Sequence, residues 1–439
     1  MSQFRLARLG LLMAALGLNM APSLFGTSSS AYAADAAAEV KKEDTVRAEM
    51  GKPLRAVPEL IAAKQYKEAF AKINEADALP AKTAYEIYSI ERARAVVANA
   101  SGDRALASKS LEMVINSGKL PANEQQIFIR ALAGNFYQDK DYANTVVWLT
   151  RYQKEGGNDP QVRSLLIQSM YLNNDFASAA RESQLDLDLL EKAGKAPEEN
   201  QLNLMRNCSV KLKDRATYKV MIEKLAAFYP KPDHWTELLD ILEASPGYSD
   251  HALLDTFRFR LMAGTPMPEK EMKDMAELAI MAALPVEAKR VIDAAYQAGT
   301  FGTGPNANAH KLLQDRANKA AADDMRTIAQ GEATAAKSKD GNGQVNVGFA
   351  YISHQQFDKG ISLMEQGIRT GGLKHPEDAK LHLAYAYMLA GRKADAITTF
   401  KTVQSKDGLS ELARYWTLYL NAPTATAPAA AVAAPAAAK

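Results

Sequence analysis

Catalysis and metal binding need ionisable or nucleophilic side chains at workable spacings, and this chain offers few. Its six histidines, His234, His251, His310, His354, His375 and His382, are scattered. None stands in HExxH or another spacing that would bring two imidazoles and an acid to one ion. His375 and His382 are seven residues apart and would share a helix face, but no cysteine or second acid joins them in the sequence. The glycine-rich run GTFGTGPNANAHK, 299–311, follows a helical pattern rather than a strand. It also lacks the GK[ST] ending that presents a lysine and a hydroxyl to phosphates, so it reads as a loop. No GxSxG or SxxK motif seats an activated serine. Acid pairs such as Glu198-Glu199 and Asp323-Asp324 could run acid–base chemistry only in environments that separate their pKa values. They lie on polar helix ends or faces and read as solvated. Cys208, the single cysteine, sits in LNLMRNCSVKLK with no histidine or CxxC partner and reads as a small buried apolar residue. No catalytic residue, no metal ligand and no cofactor is expected, and the chain is read as not an enzyme.

The remaining residues serve position rather than reaction. At 439 residues the chain exceeds one compact core, so several domains or a repeat array are expected. An apolar fraction of 47% and a charged fraction of 24% are those of a folded domain. Arg5 and Arg8, the apolar run LLMAALGLNMAPSLFG and Ala31-Tyr32-Ala33 have the order of a cleaved secretory signal, residues 1–33. Asn19 and Pro22 cut the apolar run below the ~18–20 residues a membrane span needs. Without that segment, basic and acidic residues balance at 51 each, which disfavours nucleic acid as a partner. No later stretch reads as a membrane span. One cysteine allows no intrachain disulfide, and this composition fits a bacterial periplasm better than a eukaryotic secretory route.

A repeat organises the rest. In LAYAYMLAGRKADAITTF, Leu383, Ala384 and Tyr387 share one helix face, Gly391 breaks the pattern, and Ala396, Phe400 and Val403 resume it. Two helices joined by a tight turn can cross closely only where side chains are small, which accounts for Ala384 and Ala396. The same grammar recurs with Leu132, Ala133, Phe136 and Tyr142; with Leu166, Ile167, Met170 and Phe176; and with Val347, Gly348, Tyr351 and Phe357. The turn aromatics set the period. Tyr142 and Phe176 are 34 residues apart, Tyr66 and Tyr142 are 76 apart, and Phe357 and Lys393 are 36 apart.

These units resemble the tetratricopeptide repeat family, whose unit is a helix-turn-helix of about 34 residues. The likeness is looser over 51–121, where Pro58 is expected to interrupt the first helix and Arg94 falls at or near a position expected to be apolar. The expected fold is all-α, a right-handed α-solenoid of tetratricopeptide-like hairpins in two arrays. A signal peptide, 1–33, and a disordered linker, 34–50, would precede an N-terminal array, 51–230. Divergent hairpins, 231–300, would continue it, with a turn at Ser245-Pro246-Gly247. A linker with a helix, 301–343, is the expected hinge. A C-terminal pair with a capping helix, 344–421, and a disordered Ala/Pro tail, 422–439, complete the chain. Soluble lytic transglycosylases also carry an exported helical superhelix, but here the repeats run to about residue 404 and leave no room for their catalytic domain.

In the family, a concave groove lined by first helices receives a peptide or partner helix. The resemblance implies Arg130 and Tyr137, then Gln168 and Tyr171, as groove-facing residues, with Arg92, Asn99, Asn203 and Asn207 continuing the row. Arginine with amides suits a peptide backbone or a terminal carboxylate. The expected function is a periplasmic scaffold or adaptor for a protein or peptide of the bacterial envelope, accessory to a TonB-type or assembly system. A binding chaperone for exported polypeptides and a polysaccharide-export accessory are the alternatives, and an envelope enzyme is the weakest. Among the tryptophans, Trp148 and Trp416 lie on faces that read as core, which counts against glycan stacking.

Overall fold

Leucine, alanine and aromatic residues at helical spacing, punctuated by glycine or by Asn-Asp and Lys-Asp turns, dictate short helices in pairs. The computed structural model describes residues 45–423 and consists there of helices joined by short turns, with no strand among the described residues. The expected signal peptide and nearly all of the expected tail lie outside the described residues. The expected linker 34–50 lies partly within them: the first helix begins at Ala48, and Met50 is fully buried.

The described chain forms two compact units divided between Asp186 and Leu187. The first contains α1 (Ala48–Ala62), α2 (Tyr66–Asp77), α3 (Ala84–Ser101), α4 (Arg104–Asn116), α5 (Ala122–Gln138), α6 (Tyr142–Lys154), α7 (Pro160–Leu172) and most of α8 (Phe176–Lys192). Within it α1 packs on α2, α3 on α4 and α5 on α6, and each hairpin meets the next through α2·α3, α4·α5 and α6·α7. Pro58 does not interrupt α1, which runs on through both Pro53 and Pro58. The face formed by Met50, Leu54 and Val57 is buried against Ala69 and Ile73, and this packing outweighs the lost backbone bond. Arg94, at the position expected to be apolar, is held by ion pairs with Asp77 at 2.7 Å and with Glu91.

The second unit continues with α9 (Glu199–Leu212), α10 (Arg215–Phe228), α11 (Pro232–Glu243), α12 (Leu253–Met262), α13 (Glu269–Met281), α14 (Pro285–Gln297), α15 (Ala307–Ala335), α16 (Asn342–Ser353), α17 (Phe357–Thr370), α18 (Pro376–Leu389), α19 (Lys393–Phe400) and α20 (Leu409–Asn421). Residues 301–343 require a correction. They supply the 29-residue helix α15, which packs on α13, α14 and α16 with His310, Leu313 and Ala317 buried. Alanine-rich turns let this polar helix lie close to its neighbours, so the segment is a packed part of the second unit. The division between units falls instead inside α8.

The turns share one device. Lys64, Gly102, Lys140, Asn174, Lys213, Ala283, Gln355 and Gly391 each take the left-handed conformation two residues before a second helix. The next residue then donates its N–H to the carbonyl five positions back, as Asp141 does to Phe136 at 2.8 Å and Arg392 to Tyr387 at 2.8 Å. Tyr66, Tyr142, Phe176, Phe357 and Lys393, the residues that set the sequence period, all open second helices. In four turns an aspartate caps the helix that follows. Asp103, Asp141, Asp175 and Asp214 accept from Leu106, Asn144, Ser178 and Thr217 N–H at 3.0–3.1 Å. Small residues allow the closest crossing, that of α16 with α17. A Cβ on Gly348 would lie 2.7 Å from the Gly360 carbonyl oxygen.

Candidate functional site

The first helices of the first unit carry the residues the sequence assigned to a groove. On α5, Ile127, Arg130 and Tyr137 recur at three- and seven-residue spacing and so share a face. Ile127 is 51% exposed, while Arg130 and Tyr137 are half-buried. Tyr137 packs edge-on against Tyr142 with ring centroids 5.6 Å apart, and burial pushes its hydroxyl pKa up. Tyr171 meets Phe176 in the same way at 5.3 Å, so each tyrosine leans on the aromatic that opens the second helix. Gln168 is half-buried and Asn99 is exposed. Asn203 and Asn207 belong to the second unit, where the Asn203 side-chain amide donates to the Glu199 carbonyl at 3.0 Å. Ile127 was missed by sequence reasoning; an apolar residue one turn before Arg130 on the same face was the available signal.

The arginines of this face are engaged within the protein. Arg92 of α3 pairs with Glu124 at the start of α5 at 2.6 Å, and Arg130 of α5 pairs with Asp159, the cap of α7, at 3.2 Å. Arg92 also lies over the Phe128 ring at 5.6 Å and donates to the Tyr88 hydroxyl at 2.7 Å. Each guanidinium therefore ties one first helix to the next, and a peptide carboxylate would compete with an acid already in place.

The second unit gathers charge differently. Its last helix, α20, covers α18 and α19 as a cap would, and it also packs on α10. Arg414 donates to Glu223 at 2.9 Å, and Lys219 pairs with Glu411 at 2.5 Å. Burial raises the Glu411 pKa, but the bonds from Arg414 and Lys219 prevail and hold it at about 2. Trp416 packs at a tilt against Phe259 with ring centroids 4.4 Å apart, and Phe259 meets Trp235 at 5.4 Å. Beneath them Arg258 is fully buried between two acids. It grips Glu287 with two bonds of 2.8 and 2.7 Å and reaches Asp255 at 2.5 Å. His382 of α18 stands 3.1 Å from Asp255 and stacks on Phe349 at 4.4 Å. An ionised carboxylate only accepts, so the His382 Nε2 carries the hydrogen. Burial acts against charge on Asp255 and Glu287, yet His382 and Arg258 hold the first, and Arg258 the second, below the usual carboxylate range. Arg258 meets both acids and His382 meets Asp255, so the cluster locks helices together.

Most of the other candidates resolve as packing. Burial pushes the Cys208 thiol up to about 11. The His234 Nδ1–H donates to the Tyr229 carbonyl at 2.8 Å, His310 stacks on Phe301, and His354 pairs with Asp324 at 2.7 Å. His375 and His382 do not converge: His382 goes to Asp255, and His375 lies beside His251 and Asp378. All three tryptophans are buried, Trp148 and Trp416 as the sequence expected. An open depression of about 580 Å³ between α15 and α16 is lined by Thr327, Gln330, Gly331, Thr334, Asn346 and Val347, with no ionisable side chain among its lining residues. No described helix is long and apolar enough to cross a membrane.

No protein-family model matches the chain, and no curated protein sequence does. Among solved structures, that of Naa15/Naa10 bound to HypK-THB is similar at 15% identity and a TM-score of 0.34, covering 85% of this chain and 60% of that one. The P58(IPK) TPR domain is similar at 11% identity and a TM-score of 0.18, covering 85% of this chain and 98% of that one. The chain thus spans less than two-thirds of the length of the first.

Proposed function

We propose that this chain is a non-enzymatic scaffold or adaptor that binds a protein or peptide along the first-helix face of its first unit. The observation that carries the proposal is the α5 face, which exposed Ile127 shares with half-buried Arg130 and Tyr137. An apolar side chain beside an aromatic and a guanidinium has the composition of a protein-binding surface. The rest of each helix is spent on stacking. Arg5, Arg8, the apolar run and Ala31-Tyr32-Ala33 support export, cleavage after Ala33 and work in the periplasm. An envelope complex, of a TonB-type or assembly system, is the partner we propose, by analogy with other exported helical repeat proteins. Buried tryptophans favour a polypeptide partner over a glycan.

A photoreactive residue at position 127, crosslinked in intact cells, tests the face directly. Ile127→Asp combined with Tyr137→Ala leaves helicity unchanged and abolishes the crosslinked partner. Undiminished capture by that double variant removes the assignment. Mature protein beginning at Ala34 in the periplasmic fraction is the expected outcome for location, and an intact N-terminus in the cytosol contradicts it.

A further inference from the structure

Helix α18 and α12 with the 3-10 turn Asp250–Ala252 before it, more than a hundred residues apart in sequence, are joined by two histidine–aspartate pairs placed four residues apart with their roles exchanged. The inner pair is His382 with Asp255, and the outer is His251 with Asp378. The inner pair is closed off by Arg258 and Phe349. The outer pair has no such cover: the His251 side chain is 43% exposed. In place of an arginine it has a second imidazole, His375, whose ring centroid lies 5.1 Å from that of His251. One ligand atom from each of His251, His375 and Asp378 lies within 4.8 Å of the others.

We propose that His251, His375 and Asp378 form a binding site for a divalent transition metal of the zinc, cobalt or nickel type. Two neutral imidazoles and a carboxylate are borderline ligands suited to these ions, and three protein ligands leave a position for water. Bonds of about 2.0–2.2 Å to one ion require ligand atoms about 3.3 Å apart in a tetrahedron, so the His251–Asp378 contact must open while the His375 donor closes in, movements that rotation of two exposed imidazoles supplies. The backbone already fixes the donors. His375 is the residue before α18, Asp378 is in its first turn, and Ser249 orients the His251 turn by accepting the His251 N–H at 3.2 Å. The Ser249 N–H in turn donates to the Asp407 carbonyl at 3.0 Å. A His251–Asp378 ion pair alone would leave the second imidazole without a role. The metal would staple α18 to the start of α12, so metal supply would tune the closure of the second unit.

The test uses tag-free full-length mature protein, stripped with chelator and titrated with Co²⁺ alone, followed by Zn²⁺ competition. One equivalent of Co²⁺ produces visible ligand-field absorption that Zn²⁺ removes. His251→Ala, His375→Asn and Asp378→Asn each weaken binding at least about tenfold, with circular dichroism unchanged. His354→Gln, at a separate histidine–aspartate pair, leaves binding as it was. Zn²⁺ raises the thermal midpoint of the parent protein and not that of His375→Asn. Absence of saturable binding by the parent overturns the proposal, as does binding as tight as the parent's in the His251 or His375 variant, or a comparable loss in His354→Gln.

Discussion

The two units are built from the same hairpin and reach stability by different routes. In the first, each hairpin packs on its sequence neighbours, and single arginines such as Arg92 and Arg130 tie one first helix to the next. Such an array gains stability step by step, and damage stays local. In the second, α20 returns to α10, and α18 meets α12 across more than a hundred residues through His382 and Asp255. Long-range closure couples helices that sequence separates. A repeat alone therefore does not decide whether a stack behaves as a chain of neighbours or as one cooperative body; the non-local charges and aromatics do.

The largest predicted effect comes from Arg258→Ala. It leaves Asp255 and Glu287 buried without their cation, a cost of about 3–5 kcal/mol. Calorimetry should show the second-unit transition shifted far down with the first-unit transition in place, and a uniform shift of both would erase the contrast between the units. Gly348→Leu drives a side chain into the Gly360 carbonyl and Met364, for about 1–3 kcal/mol or more. An unchanged melt would contradict the close α16·α17 crossing. Asp141→Ala removes the cap of α6 for about 1 kcal/mol, and hydrogen exchange should rise only around α6 and its neighbours. Arg92→Met should cost no more than about 1 kcal/mol, because its ion pair is partly solvated.

Acid acts on both units, through one carboxylate in each. Hydrogen bonding from Arg47 holds Glu86 of the first unit at about 2, and Glu411 of the second sits at about 2. A depressed carboxylate contributes fully above its unfolded value near 4.5 and loses its contribution as pH falls toward 2. Both transitions should therefore weaken over that window. Glu411→Gln should flatten the pH dependence of the second alone, and an equal change in both transitions would refute the assignment.

Local pattern carried much of this architecture. Leu383, Ala384 and Tyr387 gave α18, and Tyr142, Phe176 and Phe357 marked where second helices begin, because side-chain period reports which face of a helix is covered. Period does not report what covers it. Nothing near His382 names Asp255 or Arg258 as partners, and nothing near His375 points to His251. The same blindness made 301–343 read as a linker, since a polar surface and glycine-rich flanks hide the alanines on which α15 packs. The turn aspartates Asp103, Asp141, Asp175 and Asp214 went unread as helix caps, although each stands one residue before a second helix. At the proposed binding face, Arg92 and Arg130 were legible as polar positions, but their acid partners lie one hairpin away and had no local signal.

Closure of the second unit is tested most directly by hydrogen exchange on a chain ending at residue 404, which lacks α20. Removing α20 should strip protection from α10, α11 and α12 while the helices of the first unit exchange as before. Unchanged protection in Pro232–Met262 would contradict the closed arrangement and return the second unit to a simple stack of neighbours.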